Sequence, residues 1–146
     1  VQLGFERRTG RGATDPFNVS LNFGYKAYLF KACWKEALRA GFDPNIGFLH
    51  LERPGKPSLI LDLMEEFRPL IDRVCLSLYT RGSMPARVIN ARGRLTRIAY
   101  AKLLETLDER LQRSYGLDRR IGEQVSLLRD VIMGRCVEYV PYRMDW

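Results

Sequence analysis

One short stretch of the chain combines a histidine with several carboxylates. His50 is the single histidine of the 146 residues, and Asp62, Glu65 and Glu66 follow it closely. Two prolines and a glycine lie between, so the histidine precedes a turn and the acids lie on the next helix. Asp62 shares one helical face with Glu65, at a spacing of three, or with Glu66, at a spacing of four. One imidazole and two carboxylates make this stretch a candidate site for a divalent metal.

The residues around Asp62 bear on this interpretation. A lone histidine is commonly structural and acids on a helix are commonly solvated, so the spacing by itself leaves both readings open. The segment from Leu59 to Phe67, however, is largely apolar around Asp62. An ionised carboxylate in such surroundings needs a cation or hydrogen bonds, which favours a site.

Several polar side chains accompany this stretch. Arg53 and Lys56 lie in the loop between the histidine and the acids, and Arg68 follows the acids. They are close enough in sequence to contact a phosphate, although loop cations are also commonly solvated. Asn18 and Asn22, four residues apart in a mostly apolar helix, would hold a backbone loop or orient a ligand.

Apolar periodicity with start and stop signals predicts four helices. We expect the first to run from Asp15 to about Ala40 and the second over 58–79, with Pro69 bending or breaking it. An arginine-rich loop then leads to helices over 94–114 and 118–138. The residues expected on the core side include Leu21, Leu29, Leu38, Ile98, Leu103, Ile121 and Ile132.

Length and periodicity indicate an all-α fold. A chain of 146 residues with 46% hydrophobic content fills one core, and no long period-two alternation suggests a sheet. We expect residues 1–14 to form a basic connector and residues 15–146 the helical domain. Because the chain starts at Val1 without methionine, we expect a fragment or a processed chain.

Charge and cysteine content narrow the class of protein further. The 24 basic residues against 17 acidic ones give a formal charge of +7, mostly from arginine, which suits a polyanion or an acidic protein as partner. Cys33, Cys75 and Cys136 are far apart and odd in number, as expected of reduced core thiols rather than a zinc site. No apolar run approaches the length of a membrane span and no signal peptide is apparent, so we expect a cytoplasmic protein.

The stretch Gly47–Pro69 resembles a known signature. Its GFLH turn and its LDLMEEFRP helix are similar to the C-terminal helical domain of Cas1, the CRISPR-associated nuclease and integrase of spacer acquisition. The segments DPFN with LNFGY over 15–25 and AGFDP over 40–44 resemble the same domain. Gln124 and the ending EYVPY at 138–142 are similar to the last helix of the family.

The resemblance implies a function. It predicts a multi-helix catalytic domain that cuts double-stranded DNA with Mn²⁺ or Mg²⁺ and inserts captured fragments into the CRISPR repeat by transesterification, as part of antiviral defence. Full-length members of the family are homodimers bridged by the Cas2 subunit. The N-terminal β-domain of the family has no match in this sequence. The resemblance also implies a prokaryotic protein.

The resemblance also assigns residues. In the family a glutamate, the histidine and an acid hold the metal; His50 matches the second ligand, Glu65 the third, and Asp62 the supporting acid of the catalytic set. The glutamate would lie before Val1, so weak metal binding and little turnover are expected of these residues alone. The alternative is a non-catalytic helical module for DNA binding or protein assembly, with acids that merely cap or pair.

Overall fold

A computed structural model of the chain describes residues 5–10, 12–48 and 56–144. Within these ranges all regular secondary structure is helical, apart from one isolated antiparallel bridge between Ile89 and Leu95. The predicted all-α class is therefore confirmed. Over the same ranges, no helix has the length and apolar character required to cross a membrane.

The chain forms two compact units, each built from two segments. One unit consists of Val1–Ala27 with Pro69–Tyr115, and the other of Tyr28–Arg68 with Gly116–Trp146. Helix α3 contributes to both, because it runs unbroken over Ser58–Thr80 with Pro69 inside it. Its bounds match the prediction to within one residue, and the helix is not broken at Pro69, which was expected to bend or break it.

The first unit begins with helix α1, Pro16–Phe23. The carboxylate of Asp15 caps it by accepting a hydrogen bond of 2.8 Å from the Asn18 N–H, and Pro16 supplies the first-turn dihedral. A π-helical segment, Gly24–Leu29, continues the helix. Gly24 lies so close to Ile71 of α3 that a Cβ atom there would overlap the Ile71 Cγ2 methyl group. Glycine is therefore what allows this close packing.

The rest of the first unit contains helix α4, Arg97–Leu107, and a π-helical segment, Asp108–Ser114. The Thr96 side chain caps α4 by accepting a hydrogen bond from the Ala99 N–H. The helix starts three residues later than predicted because the residues before it form a hairpin turn. Ile98, expected in the core, is 72% exposed. Leu103, also expected in the core, is buried, together with Ala99, Leu107 and Leu111.

The second unit pairs helix α2, Phe30–Arg39, with helix α5, Leu117–Ile132. Gly122 of α5 faces the buried Glu36 of α2, whose Oε2 would lie 3.3 Å from a Cβ atom at that position. Lys35 forms an ion pair with Asp118 across the same contact. This pairing makes α2 and α5 the frame of the unit.

Three expectations for the second unit were wrong. Helix α5 ends at Ile132 rather than near residue 138, and Gly134 turns the chain with a φ of 70°. Leu38 and Ile132, both expected in the core, are 52% and 64% exposed. They lie in the last turn of their helices, where the apolar periodicity continues beyond the packed surface.

The cysteines are all free. Cys33 and Cys75 are buried, as predicted, and burial raises the pKa of the Cys75 thiol to about 12. Burial also raises the pKa of Cys33. Cys136 follows the end of α5 and is partly exposed, so its assignment to the core was wrong.

Candidate functional site

The carboxylate of Asp62 anchors the turn that precedes the histidine. Asp62 lies on the first half of α3 and is completely buried, and its Oδ2 accepts a hydrogen bond of 2.6 Å from the backbone N–H of Phe48. A charge-assisted hydrogen bond of this kind offsets part of the cost of burying the carboxylate. Asp62 therefore joins helix α3 to the turn two residues before His50.

Gly47 permits this close approach. A Cβ atom at Gly47 would lie 2.7 Å from Asp62 Oδ2 and 2.7 Å from the Ser58 Cβ. These distances are shorter than van der Waals contact, so any side chain at position 47 would push the turn away from the helix. The backbone of the same region is also tied to α3 by a hydrogen bond of 3.1 Å from Leu59 N–H to the carbonyl of Pro44.

Glu65 lies one turn along α3 and has a different environment. Its side chain is 42% exposed, and its Oε1 lies 3.1 Å from the guanidinium of Arg68. An exposed ion pair of this kind contributes little to stability, so the carboxylate is free to exchange it for another cation. Glu65 thus has the accessibility that a metal ligand needs.

The Glu66 side chain binds the C-terminal segment, residues 133–144. The Tyr139 hydroxyl donates a hydrogen bond to Glu66 Oε1, and the Tyr142 backbone N–H donates one of 2.7 Å to Oε2. Burial raises the pKa of Glu66 to about 7, an effect that the Tyr139 hydrogen bond partly opposes. Burial together with the neighbouring carboxylate raises the pKa of Tyr139, so its hydroxyl remains a donor.

Aromatic contacts complete the attachment of the C-terminal segment. The Tyr139 ring packs edge to face on Phe48, with centroids 5.4 Å apart, and the Tyr142 ring stacks on Phe67 at 4.9 Å. Arg120 lies over the Tyr142 ring, 5.8 Å from its centroid. The turn at Phe48 is consequently held by Asp62 through its backbone and by Tyr139 through its ring.

Not all of the predicted metal ligands can be placed. His50 and Arg53 lie outside the described residues, and Lys56 is exposed. The part of the chain that the structure describes contains no cluster of three or more His, Cys, Asp or Glu side chains able to hold a metal ion. Asp62 and Glu66 accept hydrogen bonds from backbone or tyrosine donors, so Glu65 is the accessible carboxylate among these three acids of α3. An exposed carboxylate suits Mn²⁺ or Mg²⁺, because both prefer oxygen ligands.

Asn18 and Asn22 hold a backbone segment in the first unit. The buried Asn18 accepts hydrogen bonds from Arg8 Nη1 at 2.7 Å and from Thr9 N–H at 2.9 Å. Asn22 accepts one from Arg8 Nη2 at 2.7 Å and donates one to the Gly10 carbonyl at 2.7 Å. The sequence left two roles open for this pair, to hold a backbone loop or to orient a ligand. These contacts hold a backbone loop.

The roles of Gly47, Glu66 and Tyr139 were missed by reasoning from sequence. Glu66 was considered only as a partner of Asp62 on one helical face. The sequence contained a weak signal for its actual partners. Two tyrosines separated by a valine and a proline follow the last helix, and such aromatic side chains commonly pack against another part of the chain. Only the folded chain brings them to α3, more than seventy residues away in sequence.

Solved structures share this helical architecture. A casposase bound to an integration product matches with a TM-score of 0.82 and 25% identity, over 99% of this chain and 46% of that one. A Cas1 protein from Thermotoga maritima matches with a TM-score of 0.81 and 24% identity, over 90% of this chain and 45% of that one. The fold is therefore that of the helical part of such proteins.

The sequence comparisons define the family. Residues 1–109 match the family described as CRISPR associated protein Cas1, and the chain belongs to it. The CRISPR-associated endonuclease Cas1 1 of Thermus thermophilus is 35% identical over 95% of this chain and 47% of its own length. The CRISPR-associated endonuclease Cas1 of Korarchaeum cryptofilum is 48% identical over 57% of this chain and 24% of its own length. The chain thus spans less than half the length of these relatives.

Proposed function

We propose that this chain is the catalytic helical domain of a DNA endonuclease and integrase that inserts new spacers into CRISPR arrays. The match of residues 1–109 to the Cas1 family carries the proposal. The naming of its relatives as endonucleases and the likeness to a casposase bound to an integration product support the reaction class. Such a protein acts where the CRISPR DNA lies, in the cytoplasm of a prokaryotic cell.

His50 and Glu65 are the proposed ligands of a Mn²⁺ or Mg²⁺ ion. The exposure of Glu65 and its exchangeable pair with Arg68 support this role. A cation bound there would stabilise the negative charge that develops on the phosphodiester. Asp62 is proposed to act on the turn rather than on the DNA, because its Oδ2 is already bonded to the Phe48 N–H. It orients the backbone that leads to His50.

The basic side chains of this stretch are proposed to contact the DNA backbone. Arg53 and Lys56 belong to the segment between the proposed ligands, and Arg68 is already aligned beside Glu65. Arginine matches the geometry of a phosphate with its planar fork. Asn18 and Asn22 support the domain by holding residues 7–10 on helix α1.

The proposed partners are double-stranded DNA, the Cas2 subunit and, in the full-length protein, a second Cas1 copy. The structure of a partial Cas6-RT-Cas1–Cas2 complex shares the fold, with a TM-score of 0.84 at 23% identity over 100% of this chain and 47% of that one. Since the family resemblance implies a further glutamate ligand that has no match within these residues, we expect the 146-residue chain by itself to bind the metal weakly and to cleave DNA poorly.

Manganese titration by calorimetry tests the proposed ligands. His50→Ala and Glu65→Ala should each abolish binding by the chain, whereas the control Glu105→Ala should not, because Glu105 is an exposed acid on another helix that pairs with Lys102. Thermal unfolding of each variant verifies that it is folded. Absence of manganese binding in the unsubstituted chain would reject the metal site and favour the non-catalytic DNA-binding or assembly module.

A further inference from the structure

The positive charge of this protein is concentrated in one stretch of sequence. Between Asp72 and Glu105 there is no acidic residue, and this stretch contains six arginines and one lysine. These seven cations equal the whole formal excess of +7, because the other 17 basic residues are matched by the 17 acidic ones. The basic character of the chain is therefore a local property of this stretch.

The centre of this stretch is an ordered hairpin, which we call the arginine hairpin (residues 81–97). Asn90 N–H donates to the Arg94 carbonyl at 2.8 Å, and Thr96 N–H donates to the Val88 carbonyl at 2.8 Å. The side-chain oxygen of Asn90 accepts from the backbone N–H groups of residues 92 and 94, and Gly93 turns the chain with a φ of 68°. The backbone is thus held by its own hydrogen bonds.

The arginine side chains of the hairpin are exposed and have no acidic partner among the residues that the structure describes. Arg81, Arg87, Arg92, Arg94 and Arg97 are all exposed, and none forms an ion pair with a carboxylate of the described residues. Some exposed arginines elsewhere in the described chain pair with acids, as in Arg39–Glu36, Arg119–Glu123 and Arg135–Asp130. Others, such as Arg113 and Arg129, form no such pair within the described residues. The hairpin differs by the concentration of these side chains, because its 17 residues include five arginines and no acidic residue.

This arrangement works against the stability of the isolated domain. Arg97 is the first residue of α4, and the N-terminus of a helix carries a partial positive charge that disfavours a cation. Like charges on one short hairpin also repel one another. A polyanion bound to the hairpin would relieve both effects, and planar guanidinium groups match phosphate oxygens in particular.

We propose that the arginine hairpin binds the phosphate backbone of duplex DNA, as a contact surface additional to the residues beside the candidate metal site. The choice of DNA as the polyanion rests on the function proposed above. Contacts of this kind carry no sequence information, because they reach phosphates rather than base edges. The hairpin therefore binds DNA of any sequence, with an affinity that decreases steeply as salt increases.

The test compares two triple variants of the chain that lose the same charge. Arg87→Gln, Arg92→Gln and Arg94→Gln alter the hairpin, and Arg119→Gln, Arg129→Gln and Arg135→Gln alter α5 and the turn after it. Binding of a fluorescein-labelled DNA duplex is measured by anisotropy over a series of sodium chloride concentrations. Each phosphate contact contributes about 0.9 to the slope of log affinity against log salt, so the hairpin variant should lower the slope by about 2 to 3 and the affinity roughly tenfold or more.

The outcomes separate the alternatives. The α5 variant should retain most of the DNA affinity and of the salt slope. Equal losses of affinity in both variants would mean that only the net charge matters, which would overturn the proposal. Unchanged DNA binding in the hairpin variant would also overturn it, provided that thermal unfolding shows both variants folded. If polyglutamate binds the hairpin as tightly as the duplex does at equal charge, the surface belongs to an acidic protein and the proposal fails.

The same assay distinguishes this proposal from the proposed function. His50→Ala and Glu65→Ala remove manganese binding if the metal site is correct, and they leave the hairpin unchanged. If the chain binds manganese through these residues but the hairpin variant retains DNA affinity, only the hairpin proposal fails. If no form binds manganese but the hairpin variant loses DNA affinity, only the metal site fails.

Discussion

Phe48 donates its backbone N–H to Oδ2 of the buried Asp62 at 2.6 Å. The bond links a turn and a helix that lie 14 residues apart in sequence. A buried carboxylate is thereby used to fix backbone, and the accessible carboxylate one turn later, Glu65, remains open. The two acids that the sequence placed on one helical face have different environments and, we propose, different tasks.

Replacing Asp62 tests its role in holding the turn. Asp62→Ala leaves the Phe48 N–H without its acceptor, and we expect the free energy of unfolding to fall by about 1–3 kcal/mol. Asp62→Asn keeps an oxygen acceptor, so its free energy of unfolding should fall by less than half as much. Urea unfolding measures both values. Equal losses for the two variants would mean that the charge, not the hydrogen bond, is what the turn requires.

Gly47 is expected to tolerate no side chain. In Gly47→Ala the new methyl group would meet Asp62 and Ser58 at 2.7 Å, so the turn must move away from α3. We expect a loss of about 1–3 kcal/mol in stability, as for other overpacked sites. Gly10→Ala is the control, because nothing lies within 4 Å of the added atom there. Thermal unfolding that is unchanged in both variants would contradict the close approach.

The link between Tyr139 and Glu66 can be measured by a double-mutant cycle. Tyr139→Phe removes the hydroxyl donor and Glu66→Gln removes the charge that accepts it, so the single variants should lose about 1–3 kcal/mol each and the double variant less than their sum. Chemical unfolding supplies the free energies. Tyr100→Phe serves as control, since this tyrosine is 45% exposed and its hydroxyl has no hydrogen bond within the described structure. Strict additivity would show that the two side chains do not interact.

Gly24 and Ile71 provide a test in the first unit. Gly24→Ala places a methyl group onto the Ile71 Cγ2 atom, and we expect it to destabilise the chain by about 1–3 kcal/mol. Ile71→Ala removes that methyl group at the cost of a cavity. Because the two changes relieve each other, the double variant should be more stable than the summed single effects predict. Measured additivity in urea unfolding would mean that the helices do not pack through these residues.

The three thiols should differ in reactivity. Burial raises the pKa values of Cys33 and Cys75, and only a thiolate reacts readily, so iodoacetamide at mildly alkaline pH should label Cys136 alone in the folded chain. Peptide mass spectrometry identifies the labelled residue. All three should react after denaturation in urea. Rapid labelling of Cys75 in the folded chain would contradict its placement in the core.

Local patterns were sufficient to predict the start of α1 and the bounds of α3. The cap of α1 at Asp15 follows from a capping side chain before a proline, and the start of α3 at Ser58 follows from a preceding proline and apolar spacing. These signals act over a few residues. The start of α4 and the end of α5 differed from the prediction. Apolar periodicity continues past Ile132 although Gly134 turns the chain, and Ile98 lies on an apolar stripe that no other part of the described chain fully covers.

The sequence by itself determined the all-α class, the family resemblance and the acidic face of α3, because residue type and helical spacing are local properties. Only the tertiary structure decided that Asp62 holds Phe48, that Glu66 binds the C-terminal segment and that Glu65 stays accessible. These assignments depend on which distant backbone groups reach each carboxylate. Three acids within five residues look alike in sequence, and the hydrogen-bond donors that tell them apart are supplied by the fold.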